Sequence, residues 1–165
     1  MRVLQILLFI HILAAIFWVG TNLFTVFFLE PTVRALGPEG GKFMQRLSGG
    51  TQFSLTISIA SILTILSGLG MYWVHSGGFD LSVMFSQRLP LTLGAIFGIG
   101  ALIVGGTMQG RPSGQLAALG KQIAVQQEYP NPEQKAEMAA LQKRMRIGGR
   151  LNAALMVLAV IGMVW

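Results

Sequence analysis

The sequence contains no cysteine and very little charge. Only 11% of its 165 residues are Asp, Glu, Lys or Arg, whereas a soluble domain carries about 25%. The lack of cysteine excludes disulfide bonds and thiolate metal sites. The low charge argues against an ordinary water-soluble surface. The hydrophobic content of 53% supports the same conclusion. The composition therefore predicts an integral membrane protein whose main partner is the lipid bilayer.

Four long apolar runs dominate the chain. A hydrocarbon core about 30 Å thick needs roughly 20 apolar residues per helix. The first run is much longer than the apolar part of a signal peptide, which covers about 7–15 residues, so we expect it to be retained. The sequence predicts an all-α, four-helix membrane bundle that forms a single domain over residues 1–165. Its spans are residues 3–29, 53–74, 89–108 and 147–165.

Basic residues are concentrated in two of the three connections. Lys and Arg beside membrane helices accumulate on the cytoplasmic side, so these two connections are predicted to be cytoplasmic and both termini to lie outside. The basic stretches have no interleaved aromatic residues, which argues against a nucleic-acid partner. The basic residues of the first and third connections are Arg34, Lys42, Arg46, Arg111, Lys121, Lys135, Lys143, Arg144, Arg146 and Arg150.

The third connection, residues 112–146, predicts a short cytoplasmic helical hairpin. QLAALGKQIAVQQE and PEQKAEMAALQKRMR consist mainly of helix-favouring residues, and YPNP lies between them. A Pro-rich tetrapeptide of this kind interrupts a continuous helix. The hairpin is either a solvated connector or a docking surface for a partner protein.

Polar side chains share one face of the first span. Successive helical residues turn about 100°, so His11, Trp18 and Asn22 point in similar directions. Lipid penalises an unpaired imidazole or amide, so this face is predicted to point into the bundle. An ionisable residue within a span indicates a functional site by default. The alternative is a neutral His11 that hydrogen-bonds a carbonyl of a neighbouring helix.

A second histidine closes the second span. His75 follows Tyr72 and Trp73, and aromatic rings of this kind anchor helices at the headgroup level. Met71 lies one turn before it, on the same side of the membrane as His11. Copper(I) accepts thioether and imidazole ligands, so His11, Met71 and His75 form a candidate metal site. Met156 in the fourth span is either a packing residue or a sixth ligand to a haem iron.

Small residues mark the second and third spans. Gly94 and Gly98 form a GxxxG pattern, which lets membrane helices approach closely. Ser54, Ser58, Ser61 and Gly68 line one side of the second span. The pattern predicts helix packing, and the alternative is space for a flat macrocycle.

Several segments resemble a known family. HILAAIFWVG, FLEPTVRAL, FMQRLSGG, SGLGMYW and RMRIGGRLNAALMVLAV are similar to the small membrane proteins of the copper-resistance D family and, more loosely, to HemJ-type protoporphyrinogen oxidases. The resemblance implies a four- or five-span bundle of a bacterial inner membrane, in which the histidine matching His11 binds haem b or takes part in copper handling. HemJ-type enzymes present a lysine at the start of the third span, where this chain has Arg88 and Leu89. Arginine does not ligate iron, so protoporphyrinogen oxidation is not expected.

The sequence leaves three functional hypotheses. The first is a haem b protein with His11 as axial ligand, Trp18 beside the macrocycle edge and Asn22 as a donor to a propionate or a quinone carbonyl. It would exchange electrons with quinone or with other membrane redox subunits, or react with a small oxidant at an open iron site. The second is a non-catalytic membrane subunit or assembly factor. The third is copper handling. Under any of these hypotheses the chain could form a homo- or hetero-oligomer.

Overall fold

The computed structural model describes residues 2–126 and 129–165, and these residues form only helices and connecting turns. Four of the helices are long and apolar enough to cross a membrane. A shorter helix, which the sequence analysis did not predict, connects the first two of them. The helices in chain order are α1 (Arg2–Ala35), α2 (Pro38–Gly50), α3 (Phe53–His75), α4 (Leu89–Gln126) and α5 (Pro132–Val164).

The four long helices alternate in direction. A Cβ built at Gly68 would contact His11, and a Cβ built at Gly70 would contact Leu7, so α1 and α3 run antiparallel. Both chain termini therefore lie at one end of the bundle, here called the terminal end, and the opposite end is called the hairpin end. α1 packs mainly along α3, and α4 packs mainly along α5, with lighter contact between the two pairs. The fold is thus a bundle of two helical pairs.

The hairpin end differs from the sequence-based expectation. The predicted arms of the hairpin are helical up to Gln126 and from Pro132 onward, but they continue α4 and α5 rather than forming separate helices, and residues 127 and 128 of the first arm lie outside the described residues. α5 begins with a capping box, in which Asn131 Oδ1 accepts from Gln134 N–H at 2.8 Å and Gln134 Oε1 accepts from Asn131 N–H at 3.0 Å. Pro132 occupies the first helical position, where its missing N–H costs nothing. Local signals therefore start α5 well before its apolar segment.

Each π-helical segment of the described chain comes just before a proline. Proline lacks an N–H, and its ring clashes with the carbonyl four residues earlier. A wider turn with hydrogen bonds between residues i and i+5 relieves that clash, as in the bond from Glu30 N–H to Thr25 O. Helices α1 and α4 therefore continue past their internal prolines. The segments and prolines are Thr25–Leu29 before Pro31, Val83–Gln87 before Pro90, and Gly105–Gly110 before Pro112.

The buried core is one thin layer that receives one residue from each long helix. Trp18, Ala60, Ala101 and Met156 pack together there. Most other large apolar side chains point outward, for example Phe9, which is 65% exposed. Apolar surface on this scale is rare on soluble monomers. The outer surface therefore fits a lipid environment.

Glycines bring α4 and α5 into backbone contact. A Cβ built at Gly162 would lie 2.6 Å from the Pro90 carbonyl oxygen and 2.7 Å from Gly94 Cα. A Cβ built at Gly98 would lie 3.8 Å from Ile65 Cδ1, an ordinary contact with α3. The two glycines of the GxxxG pattern thus contact different helices. Gly94 lies at the close crossing with α5, whereas Gly98 faces α3.

A hydrogen-bonded link joins the two pairs near the terminal end. Tyr72 Oη lies 2.6 Å from Thr92 Oγ1, and the Thr92 hydroxyl lies 2.8 Å from the Met84 carbonyl oxygen. Both Tyr72 and Thr92 are buried. In the nearby connection, the Ser82 hydroxyl and the Ser82 backbone N–H donate to Asp80, and these bonds lower the pKa of that carboxyl. Side-chain hydrogen bonds therefore order this connection.

Candidate functional site

His11 connects α1 to α3. Its Nδ1 lies 2.8 Å from the Thr64 carbonyl oxygen and 3.3 Å from Ser67 Oγ. A carbonyl oxygen only accepts, so Nδ1 carries a proton and donates, and the tautomer with this bond has its lone pair on Nε2. The imidazole is half-buried. The structure therefore fixes the tautomer of His11 through a bond to the neighbouring helix.

The sequence of α3 makes room for this bond. A Cβ built at Gly68 would lie 2.9 Å from His11 Cε1 and 3.2 Å from His11 Nδ1, so a side chain there would displace the ring. The Thr64 and Ser67 hydroxyls donate to carbonyls of their own helix, at Ala60 and Leu63. Their polar groups are therefore satisfied locally, and the Thr64 carbonyl can accept from His11.

This arrangement has two chemical readings. It is the neutral, carbonyl-bonded histidine that the sequence raised as the alternative to a functional site. It is also the arrangement of a metal-ligating histidine, which usually donates its other ring N–H to a carbonyl or carboxylate. Such a bond fixes the ring orientation and leaves one nitrogen for a metal. The bond to Thr64 is therefore compatible with two roles for His11. One is a helix tie, meaning a hydrogen bond that only holds α1 against α3, and the other is an axial ligand to a metal.

Trp18 and Asn22 share the face of His11 but lie at different depths. Trp18 is buried in the core layer beside Met156. It is seven residues from His11, or about 10 Å along the helix. Met156 consequently packs near Trp18 rather than beside His11, where a sixth ligand to an iron held by His11 would have to lie. Asn22 lies one turn further toward the hairpin end. The structure thus spreads the predicted polar face over several turns instead of gathering it around one point.

His75 lies apart from His11. The His75 ring is exposed, and its Nδ1 lies 2.8 Å from the Met71 carbonyl oxygen of its own helix. His11 packs on Gly68, which is two turns, or about 10 Å, from His75 along α3. Over residues 2–126 and 129–165, no group of three or more His, Cys, Asp or Glu side chains could hold a metal ion. Copper binding by His11, Met71 and His75 stays a prediction.

Three buried amides toward the hairpin end were not singled out together by the sequence. Asn22 Oδ1, Gln109 Nε2 and Asn152 Oδ1 are buried and have no hydrogen-bond partner among the described residues. Leaving such an atom unpaired costs about 1–3 kcal/mol. The available signal was the occurrence of amides in or beside apolar spans, and it directed attention only to Asn22. Gln109 lies one turn after Gly105, and Gly105 faces the Asn152 amide.

Two cavities lie outside the His11 site. One, of about 350 Å³, lies at the hairpin end between α1 and α5, and Glu30, Arg34 and Arg150 line it together with Val26 and Pro31. The other, of about 370 Å³, is an apolar groove between α1 and α3. Neither is lined by His11 or His75. A large group bound to His11 would therefore contact the lipid-facing side of the bundle or a second chain.

Comparison with protein-family models, with curated proteins and with solved structures finds no match. The function is therefore inferred from the residues and their geometry.

Proposed function

We propose that this chain is a small multi-pass membrane protein that binds haem b, with His11 as an axial ligand. The observation that supports the proposal is the hydrogen bond from His11 Nδ1 to the Thr64 carbonyl oxygen. It leaves Nε2 as the free lone pair of a ring whose orientation is fixed, which is what an iron ligand needs.

The donor set fits haem better than a bare metal ion. One imidazole is sufficient to attach a haem, because the macrocycle supplies the four equatorial nitrogens. A bare copper ion would need further side chains near His11, and His75 bonds its own helix about 10 Å away. The absence of a side chain at Gly68 lets the His11 ring pack against α3 and keep one orientation. These features support haem as the first candidate and copper as a weaker one.

Haem b would supply one-electron chemistry, while the chain would orient the imidazole and limit access of water. With His11 as its one protein ligand, a bound haem would be able to react with a small oxidant. The four long apolar helices suggest a location in the membrane. The electron partner would then be quinone or another membrane subunit. Trp18 and Asn22 are too far along α1 to touch the iron ligand, so their roles would concern the edge of the macrocycle or the packing beneath it.

The second candidate is a non-catalytic membrane subunit. The same bond between His11 and Thr64 would tie α1 to α3 with no cofactor. The exposed apolar surfaces of both helical pairs would then be covered by lipid or by further subunits.

Visible spectroscopy separates the two candidates. The protein is purified after expression with ample haem supply, and its Soret absorbance and haem-to-protein ratio are measured. The haem proposal predicts a Soret band that His11→Ala removes or weakens and that His75→Ala largely retains. A parent protein without haem, or a His11→Ala variant with full haem content, would leave the subunit candidate in its place.

A further inference from the structure

The register of α1 against α5 places Asn22, which has a buried Oδ1, near the level of the buried Asn152. A Cβ built at Gly149 would lie 3.4 Å from Val26 Cγ2, so these two residues face each other. Asn22 is one turn before Val26 on α1, and Asn152 is about one turn after Gly149 on α5. Because α1 and α5 are antiparallel, the step from Val26 to Asn22 and the step from Gly149 to Asn152 lead toward the same end of the bundle. Each step of about one turn also stays on the face that its helix presents to the other. Asn22 and Asn152 therefore lie at one level, on facing sides of α1 and α5.

Helix α4 approaches the same place. A Cβ built at Gly105 would lie 3.3 Å from Asn152 Nδ2, so the Asn152 amide points toward α4. Gln109 follows one turn later in the π-helical segment Gly105–Gly110. Asn152 is 1% exposed, yet its Oδ1 has no partner among the described residues. Amides from three helices, each with one buried atom that lacks a partner among the described residues, thus lie within about one helical turn of the same level.

The unused atoms match the hydrogen-bonding capacity of one small molecule. Two of them are oxygens that accept, and the third is a nitrogen that donates. Water donates twice and accepts, and a buried water typically makes about three hydrogen bonds. It also serves either orientation of each amide group. We propose that Asn22, Gln109 and Asn152 bind a buried water molecule, which bridges the α1/α3 pair to the α4/α5 pair.

The surrounding backbone provides space for this water and a path by which it can exchange with solvent. The π-helical segments Thr25–Leu29 and Gly105–Gly110 flank α5 near the level of the three amides, and such segments widen a helix. Val26, the neighbour of Gly149, also lines the cavity that opens at the hairpin end beside Glu30 and Arg150. Exchange of the bound water would therefore occur through the hairpin end. The proposal is independent of haem binding.

Solid-state NMR of the full chain in lipid bilayers tests the site directly, through magnetisation transfer from water protons to side-chain amides. We expect rapid transfer to the amides of Asn152 and Gln109. The backbone amides of Ala101 and Met156, in the core layer, are the dry controls. Transfer to Asn152 as slow as transfer to Ala101 would overturn the proposal.

Thermal unfolding in detergent supplies a second readout. Asn152→Leu keeps the number and branching of the side-chain heavy atoms but replaces the amide with two larger methyl groups, and Met156→Leu on the same helix is the matched control. If water satisfies the amide, Asn152→Leu lowers the midpoint by several degrees more than the control and also slows water transfer to Gln109. If the amide is unsatisfied, leucine raises the midpoint, which contradicts the proposal. A midpoint that rises with sodium but not with N-methylglucamine would assign the site to a cation instead.

Discussion

Replacing Gly162 with alanine tests the close crossing of α4 and α5. The added Cβ would lie 2.6 Å from the Pro90 carbonyl oxygen and 2.7 Å from both Cα and N of Gly94. All three atoms belong to the backbone, so no side-chain rotation relieves the contact and the helices must separate. Overpacking of this kind costs about 1–3 kcal/mol, while alanine regains about 0.5–1 kcal/mol of helix propensity. We expect a net loss of about 1–2 kcal/mol, since the backbone contact dominates.

Gly20→Ala is the matched control for this experiment. Gly20 is an exposed glycine within α1, and a Cβ built there meets no other atom within 4 Å. Its replacement should leave the midpoint unchanged or raise it. A loss of 1–2 kcal/mol corresponds to a midpoint lower by about 2–8 °C for a chain of this size, measured in one detergent at one scan rate. If Gly162→Ala unfolds at or above the midpoint of Gly20→Ala, α4 and α5 do not cross as described.

Three further predictions concern the link between the pairs, the histidine and the orientation of the chain. Tyr72→Phe removes the buried bond to Thr92 and should lower stability by about 1 kcal/mol, whereas Tyr129→Phe, at a ring that is 97% exposed, should have no effect on the unfolding midpoint. Gly68→Ala places a Cβ 2.9 Å from His11 Cε1, so it should lower haem affinity in titrations while the unfolding midpoint stays near that of the parent. From the charge bias, reporter fusions in the first and third connections should be active only on the cytoplasmic side, and an active periplasmic reporter in the third connection would reverse the predicted topology. The fusion positions are residues 40 and 125 in these two connections, and residues 80 and 165, which are predicted to lie on the opposite side of the membrane.

The four long helices could be predicted from the sequence, because length and hydropathy alone decide whether a segment is long and apolar enough to span a bilayer. Their continuation past Pro31 and Pro112 could not, since proline in a helix usually indicates an end or a kink. The π-helical segments that precede these prolines depend on neighbouring helices to hold the widened turn. The hairpin end is extended because α4 continues past Pro112 in this way, while the capping box at Asn131 starts α5 well before its apolar segment.

The candidate site was partly predictable. The 100° rotation per residue indicated that His11 points into the bundle, and the structure places it against α3. The partner at Thr64 and the tight fit against Gly68 depend on the register between two helices, which no local pattern encodes. The same limit explains Gly162, whose importance arises only from its position opposite Gly94. It also explains the convergence of Asn22 with Gln109 and Asn152, which are far apart in the chain.

Chemical rescue of His11→Ala measures the central claim most directly. The haem-to-protein ratio of the variant is determined by pyridine haemochrome, with and without added imidazole, beside the parent protein. Haem ligation by His11 predicts about one haem per parent chain or per oligomer, a large loss in the variant, and recovery of the Soret band when free imidazole occupies the vacated position. A helix tie without ligation predicts no recovery. Full haem content in the unrescued variant, or a parent protein that takes up no haem, would contradict the account.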